Sequence, residues 1–172
     1  MFFGYIRKYK GLSYLINAMP GILEREKVKL LIVGEFYEDE MIIREQLKSL
    51  NLEKDVIILS DYIPNENVKY FFCASDALVL PYIDATQSGI TQIALFYDKP
   101  VIATDVGGLS EVIKNNETGF MIKPKSPEAI ANAVIRFYGE NLEDKFSSNV
   151  REEKKKYSWE TFVLNIINLV KN

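Results

Sequence analysis

The sequence contains no histidine and a single cysteine, Cys73, among its 172 residues. Without an imidazole there is no histidine base, proton shuttle or metal ligand. This excludes a serine–histidine triad, a histidine zinc hydrolase and a histidine–carboxylate iron site. One cysteine can form neither an internal disulfide bond nor a cysteine zinc cluster, which fits a reducing compartment. Any chemistry must therefore rest on other residue types.

The chain also lacks the positive charge of a dedicated nucleic-acid binder. Lys and Arg total 21 against 24 Asp and Glu, which gives a formal net charge of −3 and argues against that class. No apolar run approaches the roughly 20 residues of a membrane-spanning helix, and residues 1–7 lack the charged-then-apolar layout of a signal peptide. These absences predict a cytoplasmic protein, and the hydrophobic content of 48% predicts a packed globular one.

Short apolar runs alternate with segments of helical periodicity down most of the chain. The predicted strands cover residues 2–6, 28–33, 56–59, 77–80, 101–103 and 120–122. The predicted helices between them cover residues 12–23, 38–50, 66–73, 88–97 and 109–114. This alternation predicts an α/β fold with a doubly wound, Rossmann-like parallel sheet and helices on both faces. We expect one domain over residues 1–172, with a sheet core over 1–125 and a helical tail over 126–172.

The tail carries helix-start signals at two places. Ser126 is a suitable N-cap and Pro127 follows it at the first helical position. Ser158 similarly precedes a final amphipathic helix. Between these helices, residues 151–156 carry charges of both signs, which favours a solvated helix face over a membrane-binding segment.

In a doubly wound sheet, ligands bind beyond the carboxyl ends of the strands, so the loops there are the candidate sites. The loop after the first predicted strand carries Arg7, Lys8 and Lys10 just before a helix. Cations beside a helix N-terminus would bind an anion such as phosphate, although a solvated basic turn has the same composition. Gly34 follows the second strand, where backbone could approach a ligand closely. The dinucleotide Gly-x-Gly-x-x-Gly and phosphate-loop patterns are absent, which disfavours a dehydrogenase or an ATPase.

The loop after the fourth predicted strand is the most polar. Ser88 would cap the next helix, leaving the N–H groups of Gly89, Ile90 and Thr91 to point at a ligand. A helix N-terminus carries about half a positive charge, so a diphosphate fits there. A cap needs one hydroxyl, whereas this loop also supplies further polar side chains: Asp84, Thr86, Gln87 and Thr91. We therefore interpret this loop as a site rather than as a simple capped turn.

The loop after the fifth predicted strand contains Gly107 and Gly108, followed by Glu111. The glycine pair permits a positive φ or a close backbone approach at another helix start, and a plain strand-to-helix turn would use it equally well. Two anion-ready loops on one sheet edge point to a nucleotide or a sugar phosphate.

Taken together, these segments resemble the C-terminal, nucleotide-sugar-binding half of GT-B glycosyltransferases of family 4 (group 1). The resemblance covers essentially the whole sequence, and its most specific part is the string Pro-Val-Ile-Ala-Thr-Asp-Val-Gly-Gly at residues 100–108. The supporting segments, in family order, are residues 3–11, 30–34, 76–81, 116–120 and 157–160. The resemblance implies a donor site in the cleft of a two-domain enzyme of polysaccharide biosynthesis.

In that family an arginine and a lysine of the first loop hold the diphosphate, which implies this role for Arg7 and Lys10. The arginine commonly follows the first-loop glycine directly, where this chain has Tyr5, so Arg7 is a displaced match. The family's phosphate-binding helix start corresponds here to Ser88, Gly89, Ile90 and Thr91. The nucleotide and sugar loops correspond to Gly34, Thr86, Gln87, Gly107, Gly108 and Glu111. Fixed cations and amides would stabilise charge on the leaving diphosphate, so we expect no metal and no cofactor.

The chain departs from the family at two acidic positions. Many members carry a pair of glutamates near the sugar and the ribose, and these positions hold Ala85 and Ile93 here. Asp84 and Gln92 lie one residue earlier at the same mutual spacing, so they are the candidate catalytic residues. Alternatively, residues 86–89 do the donor work in a different way.

The family pattern implies that the acceptor-binding half is absent from these residues. The first strand begins abruptly at Phe2, so we expect a part of a longer protein or one product of a split gene. The isolated domain is expected to bind a nucleotide-sugar and to transfer poorly, because the cleft needs both walls. In such enzymes the final helix often crosses back to the first domain, so Phe162, Ile166 and Leu169 are expected to be exposed or to pack against another chain.

Three functions remain open at this point. The favoured one is the donor half of a retaining, metal-independent hexosyltransferase acting on a UDP-sugar, with uridine chosen from family frequency alone. The second is a non-catalytic nucleotide-sugar-binding module, and the third is half of a sugar-nucleotide epimerase, disfavoured because no histidine can move protons. The expected partners are the donor, a glycan or lipid-linked acceptor and the N-terminal domain. A lipid-linked acceptor would bring the protein to the inner membrane face.

Overall fold

The computed structural model describes residues 1–170, and within that range six strands alternate with eight α-helices. The strands are β1 (Phe2–Phe3), β2 (Leu30–Val33), β3 (Val56–Leu59), β4 (Leu78–Leu80), β5 (Val101–Thr104) and β6 (Gly119–Ile122). The helices are α1 (Leu12–Leu23), α2 (Glu40–Ser49), α3 (Asn65–Cys73), α4 (Gly89–Phe96), α5 (Leu109–Val112), α6 (Pro127–Gly139), α7 (Glu143–Glu153) and α8 (Trp159–Val170). Short 3-10 turns occupy Lys8–Lys10 and Lys154–Tyr157.

The strands form two parallel three-stranded arrays, β1-β2-β3 and β4-β5-β6. Met1 joins them: its nitrogen donates to Ala77 O at 2.8 Å, and its carbonyl accepts from Val79 N at 2.8 Å. The spatial order across the molecule is therefore β3-β2-β1-β4-β5-β6, with the direction of winding reversed between β1 and β4. That reversal is the point at which a doubly wound sheet opens a ligand crevice, and the predicted fold class is confirmed.

Two apolar clusters cover the two faces of the strands, because successive side chains of a strand point to opposite faces. Phe2 faces one cluster and Phe3 the other, and Ile32 and Val33 divide in the same way. The first cluster is completed by residues of α1, α2, α6 and α7, and the second by residues of α3, α4 and α5. Both faces are therefore covered by helices, as the continuous apolar strand sequences predict.

Several element boundaries differ from the sequence prediction for local reasons. The first strand was predicted over residues 2–6 but ends at Phe3, because Gly4 has a φ of 102° and turns the chain. Ile6 then forms an isolated parallel bridge with Phe36. Pro20 lies inside α1, and Ser126 caps α6 by accepting from Ala129 N at 3.1 Å, as predicted.

The first two helices of the tail, α6 and α7, pack onto the core, whereas its last helix, α8, does not. Ile130 and Phe137 of α6 and Phe146 of α7 are fully buried in the first cluster. By contrast, most of the α8 side chains whose burial the structure describes are exposed, including Phe162, Ile166 and Leu169 as expected. In the part of the chain described by the structure, no helix is both long and apolar enough to cross a membrane.

The prediction of a wholly solvated face over residues 151–156 is wrong for one residue. Glu153 is 9% exposed and forms ion pairs with Lys114 at 2.7 Å and Lys156 at 2.9 Å. Its carboxylate therefore ties the tail to the loop after α5. Residues 151–156 therefore include one buried, ion-paired carboxylate, that of Glu153, as well as solvated charges.

Candidate functional site

The loop that follows β1 (residues 4–11, the β1 loop) passes directly over the end of β2. A Cβ on Gly34 would lie 2.4 Å from the carbonyl oxygen of Gly4, and both residues have positive φ values of 138° and 102°. Glycine is therefore required at both positions. Gly34 was predicted to let backbone approach a ligand; the backbone that it admits in this structure is that of Gly4.

Lys10 turns inward from the β1 loop and is 6% exposed. Its Nζ lies 3.0 Å from the position that a Cβ on Gly4 would take, and Ile90 Cδ1 lies 3.2 Å from the same point. The ammonium group thus lies close to the start of α4, and among residues 1–170 it has no carboxylate in ion-pair contact. Burial, assisted by the nearby Arg7 charge, lowers the pKa of Lys10 from 10.5 to about 8. A bound anion would offset both the desolvation of the ammonium group and its repulsion by Arg7, because a negative charge stabilises the protonated form.

The start of α4 is organised by Ser88 in the loop that follows β4 (residues 81–88, the β4 loop). Ser88 Oγ accepts from Ile90 N at 3.3 Å, which confirms the predicted N-cap. The buried phenol of Tyr82 lies 3.2 Å from the same Oγ. The ring of Tyr82 also lies 5.7 Å from Lys10 Nζ, so the cation faces an aromatic ring in the protein interior.

Two of the three amides expected to be free at this helix start are already bonded within the protein. Ile90 N donates to Ser88 Oγ, and Thr91 N donates to Ser88 O at 3.2 Å. Thr91 itself is 2% exposed, and its Oγ1 donates to Ser88 O at 2.6 Å. The cap therefore uses the amides that the sequence interpretation reserved for a ligand. Gly89 N–H has no acceptor among the described residues and remains available.

The guanidinium of Arg7 packs over the ring of Tyr37. Its guanidinium carbon lies 4.6 Å from the ring centroid of Tyr37, and the two residues line an open hollow with Lys8, Glu38 and residues of the β1 and β4 loops. Parallel bonding between the β1 loop and the loop after β2 causes this: Tyr37 N donates to Ile6 O at 3.1 Å. Arg7 remains close enough to depress the pKa of Lys10. The structure therefore brings the two predicted cations to one region but not to one contact.

The loop that follows β5 (residues 105–108, the β5 loop) supports the β4 loop. Gly107 has a φ of 53°, and a Cβ there would lie 1.7 Å from Ala85 O. Gly108 N donates to Thr86 O at 2.7 Å. Gly107 therefore has the positive φ that the sequence allows for, and both glycines lie close to the backbone of the β4 loop. Their direct use in this structure is to hold the backbone of residues 85–86.

The other predicted site residues separate into those that line a groove and those that do not. The groove lies beside the N-terminal half of α4 and is lined by Gln87, Ser88, Gly89, Thr91, Gln92, Gly108, Glu111, Val112 and Tyr157. Gln92 is exposed within it. Asp84 is exposed in the β4 loop and does not line that groove, so the groove contains only one of the two candidate catalytic residues. At the family's acidic positions, Ala85 and Ile93 both pack against the second apolar cluster.

Sequence reasoning missed three tyrosines in this region: Tyr37, Tyr82 and Tyr157. The ring of Tyr37 contacts the Arg7 guanidinium, and Tyr82 contacts both Lys10 and Ser88. Tyr157 lines the groove, and its hydroxyl lies 3.4 Å from Glu111 O. All of these contacts except that of Tyr82 with Ser88 join residues far apart in the chain. The sequence shows that these loops contain tyrosines, but it does not indicate which residues the tyrosines contact.

Comparison with known proteins gives one family and one fold. The family described as glycosyl transferases group 1 matches residues 1–140. An uncharacterized glycosyltransferase of Methanocaldococcus jannaschii is 30% identical over 176 aligned positions, which cover 99% of this chain and 44% of that protein. The chain thus spans less than half the length of this curated relative.

Solved structures of the same fold include the C-terminal domain of a group 1 glycosyl transferase from Francisella tularensis. It has a TM-score of 0.78 and 24% identity, over 92% of this chain and 85% of that one. The HepE protein of Anabaena, solved in complex with UDP, has a TM-score of 0.81 and 19% identity, over 99% of this chain and 48% of that one. These similarities establish that the fold is the C-terminal half of the GT-B architecture.

Proposed function

The chain belongs to the group 1 glycosyl transferases, and from that premise we propose that it is the donor-binding half of a hexosyltransferase that uses a nucleoside-diphosphate sugar. UDP-sugar is the proposed donor, and a glycan or lipid-linked molecule is the proposed acceptor. The proposed acceptor-binding half would correspond to a part of the relatives that this chain does not span, since the chain covers 44% of the relative from Methanocaldococcus jannaschii. A lipid-linked acceptor would bring the protein to the cytoplasmic face of a membrane.

The observation that carries this proposal is the buried Lys10 ammonium. It has no carboxylate partner within the described residues and lies near the start of α4 and the strand-order reversal between β1 and β4. A buried charge without a partner is costly to the folded protein. The cost is offset when a diphosphate occupies the site, and nucleotide phosphates bind at this place in doubly wound folds.

The proposed chemistry is stabilisation of a leaving group. When the bond between the anomeric carbon and the diphosphate breaks, negative charge grows on the phosphate oxygen that leaves with the nucleotide. Lys10, the Gly89 N–H and the positive end of α4 would stabilise that charge without reorganising, and Arg7 would add to the field. We propose that these groups act without a metal ion or cofactor and that configuration at the sugar is retained, as the family resemblance implies.

Asp84 and Gln92 are retained as the proposed sugar-contacting residues. Gln92 supports this role by lining the groove beside α4, together with Glu111. Asp84 is exposed in the β4 loop outside the groove, so its role would require the bound sugar to extend toward that loop. Thr86 and Gln87 are the proposed alternatives in that loop, next to the backbone held by Gly107 and Gly108.

The test is a calorimetric titration of the chain with UDP, GDP and ADP. UDP is expected to bind most tightly, and Lys10→Met is expected to weaken binding at least tenfold, because hydrogen bonds to charged groups contribute about 1.5–3 kcal/mol. Arg7→Ala should weaken it less, since its guanidinium is held over Tyr37. Lys8→Met is the matched control, because that side chain is exposed on the same turn. No binding of any of the three nucleotides would overturn the proposal.

A non-catalytic nucleotide-sugar-binding module is the second candidate, and one observation favours it. Ala85 and Ile93 occupy the family's acidic positions and pack against apolar residues, so neither can act through its side chain. Adding the matching N-terminal half decides between the two functions. Sugar transfer from a donor that the chain binds indicates an enzyme, and donor binding without transfer or donor hydrolysis indicates a module.

A further inference from the structure

Tyr82 lies between the two elements that form the candidate diphosphate site. Its hydroxyl lies 3.2 Å from Ser88 Oγ at the start of α4, and its ring centroid lies 5.7 Å from Lys10 Nζ of the β1 loop. The residue is 2% exposed, so it would not itself contact a ligand in the groove. Its position is that of a support to both elements.

The backbone around Tyr82 is fixed from both sides. Thr104 Oγ1 of β5 donates to Tyr82 O at 2.7 Å, and Ile83 N donates to Tyr9 O at 2.6 Å. Pro81 O also lies where a Cβ on Gly11 would clash, at 1.9 Å. The backbone that carries Tyr82 is therefore held by both the β1 loop and β5.

Hydrogen-bond accounting at Ser88 gives the hydroxyl of Tyr82 a specific role. A serine hydroxyl has one hydrogen to donate and two lone pairs to accept with. Ile90 N already donates to Ser88 Oγ. Burial raises the pKa of Tyr82 to about 12, so the phenol keeps its hydrogen at neutral pH and can donate it. If that hydrogen also goes to Ser88 Oγ, both lone pairs are used and the serine hydrogen is free for a ligand.

We propose that Tyr82 is a positioning residue for the diphosphate. Its hydroxyl donates to Ser88 Oγ, which frees the Ser88 hydrogen for a phosphate oxygen bound between the β1 loop and the start of α4, and its ring holds the Lys10 ammonium beside the same helix start. This inference rests on the proposed function, because it assumes that a diphosphate binds there. It adds a residue that acts through two others without touching the ligand.

A double-mutant cycle with UDP as the probe tests the hydroxyl. Tyr82→Phe keeps the ring and is expected to weaken UDP binding about fivefold, the effect of one neutral hydrogen bond. Ser88→Ala should weaken binding by at least as much. In the Ser88→Ala background, Tyr82→Phe should have almost no further effect, because its role passes through that serine. Tyr70→Phe is the matched control, since Tyr70 is an exposed tyrosine on α3.

The ring is tested by measuring the pKa of Lys10 by NMR in the unliganded chain. Tyr82→Phe should leave that pKa near 8, whereas Tyr82→Leu should lower it, because the face of an aromatic ring stabilises a cation. Thermal melting shows whether each variant is folded, and Tyr82→Phe carries the test if the leucine variant is not. An unchanged UDP affinity in Tyr82→Phe, or an equal loss with and without Ser88, would overturn the role of Tyr82 alone. Failure of the unmodified chain to bind UDP, GDP or ADP would overturn the proposed function and this inference together.

Discussion

Replacing Lys10 with methionine should make the unliganded protein more stable, although it removes the cation proposed to bind the diphosphate. The ammonium is buried near Gly4 and Ile90, and its pKa falls from 10.5 to about 8, mainly through burial. A full shift of that size would correspond to about 3 kcal/mol. Because the group keeps some contact with water, we expect Lys10→Met to raise the free energy of unfolding by about 1–2 kcal/mol at pH 7.

The sign of the pH dependence follows from the two states. Below pH 8 the lysine is charged in both the folded and the unfolded chain, so the folded state carries the full cost of burying it. Between pH 8 and 10.5 the folded chain loses the proton and the unfolded chain keeps it, so the cost declines as pH rises. The stability advantage of Lys10→Met should therefore shrink between these values.

Urea unfolding of both proteins at pH 7 and pH 10 measures this difference directly. Lys8→Met serves as the control, because its exposed side chain should change stability little at either pH. A Lys10→Met protein that is less stable than the unmodified chain at pH 7 would refute the reasoning. A stability difference that does not change with pH would refute it as well.

Three further outcomes follow from the packing. Gly107→Ala should cost about 2–4 kcal/mol of stability by urea unfolding, because its φ is 53° and a Cβ would lie 1.7 Å from Ala85 O. Burial alone would raise the pKa of Glu153, but hydrogen bonds from Lys114 and Lys156 outweigh burial and lower that pKa. Glu153→Gln should therefore lower stability by about 0.5–1 kcal/mol near neutral pH, and the loss should vanish as pH falls through that lowered pKa. The exposed apolar side chains of α8 should make the 172-residue chain self-associate, and Phe162→Glu should shift light scattering toward the monomer.

Matched substitutions keep these outcomes interpretable. Gly139→Ala is the glycine control, because it has no positive φ and meets nothing closer than a flexible side chain at 3.7 Å. Glu152→Gln removes a carboxylate from an exposed pair on the same helix and should change stability little. A monodisperse monomer for the unmodified chain would contradict the expectation for α8, and equal effects within either matched pair would contradict the local arguments.

The local elements were predictable because short-range rules decide them. Ser88 and Ser126 cap their helices as the sequence indicates, and the β3 run over residues 56–59 agrees at both ends. The alternation of apolar strands with helical segments was sufficient to predict a doubly wound sheet. These features depend on residues that lie close together in the chain.

The site was less predictable because its contacts join distant segments. The ring of Tyr82 contacts Lys10 of the β1 loop, and Tyr37 of the loop after β2 contacts Arg7, and no local sequence pattern predicts either pairing. The capping rule predicted Ser88 correctly but not that the cap would engage the amide of Thr91. Likewise, the mixed charges around Glu153 gave no indication that one carboxylate is buried.

The diphosphate site proposed for this chain lies between the β1 loop and the start of α4. Its most direct test is a two-dimensional amide NMR spectrum of the chain titrated with UDP. We expect the largest shift changes at Gly4, Lys10, Gly89 and Ile90, and their loss in the Lys10→Met variant. An unchanged spectrum, or changes centred on the groove between α1 and α6 near Gly21, would contradict the account.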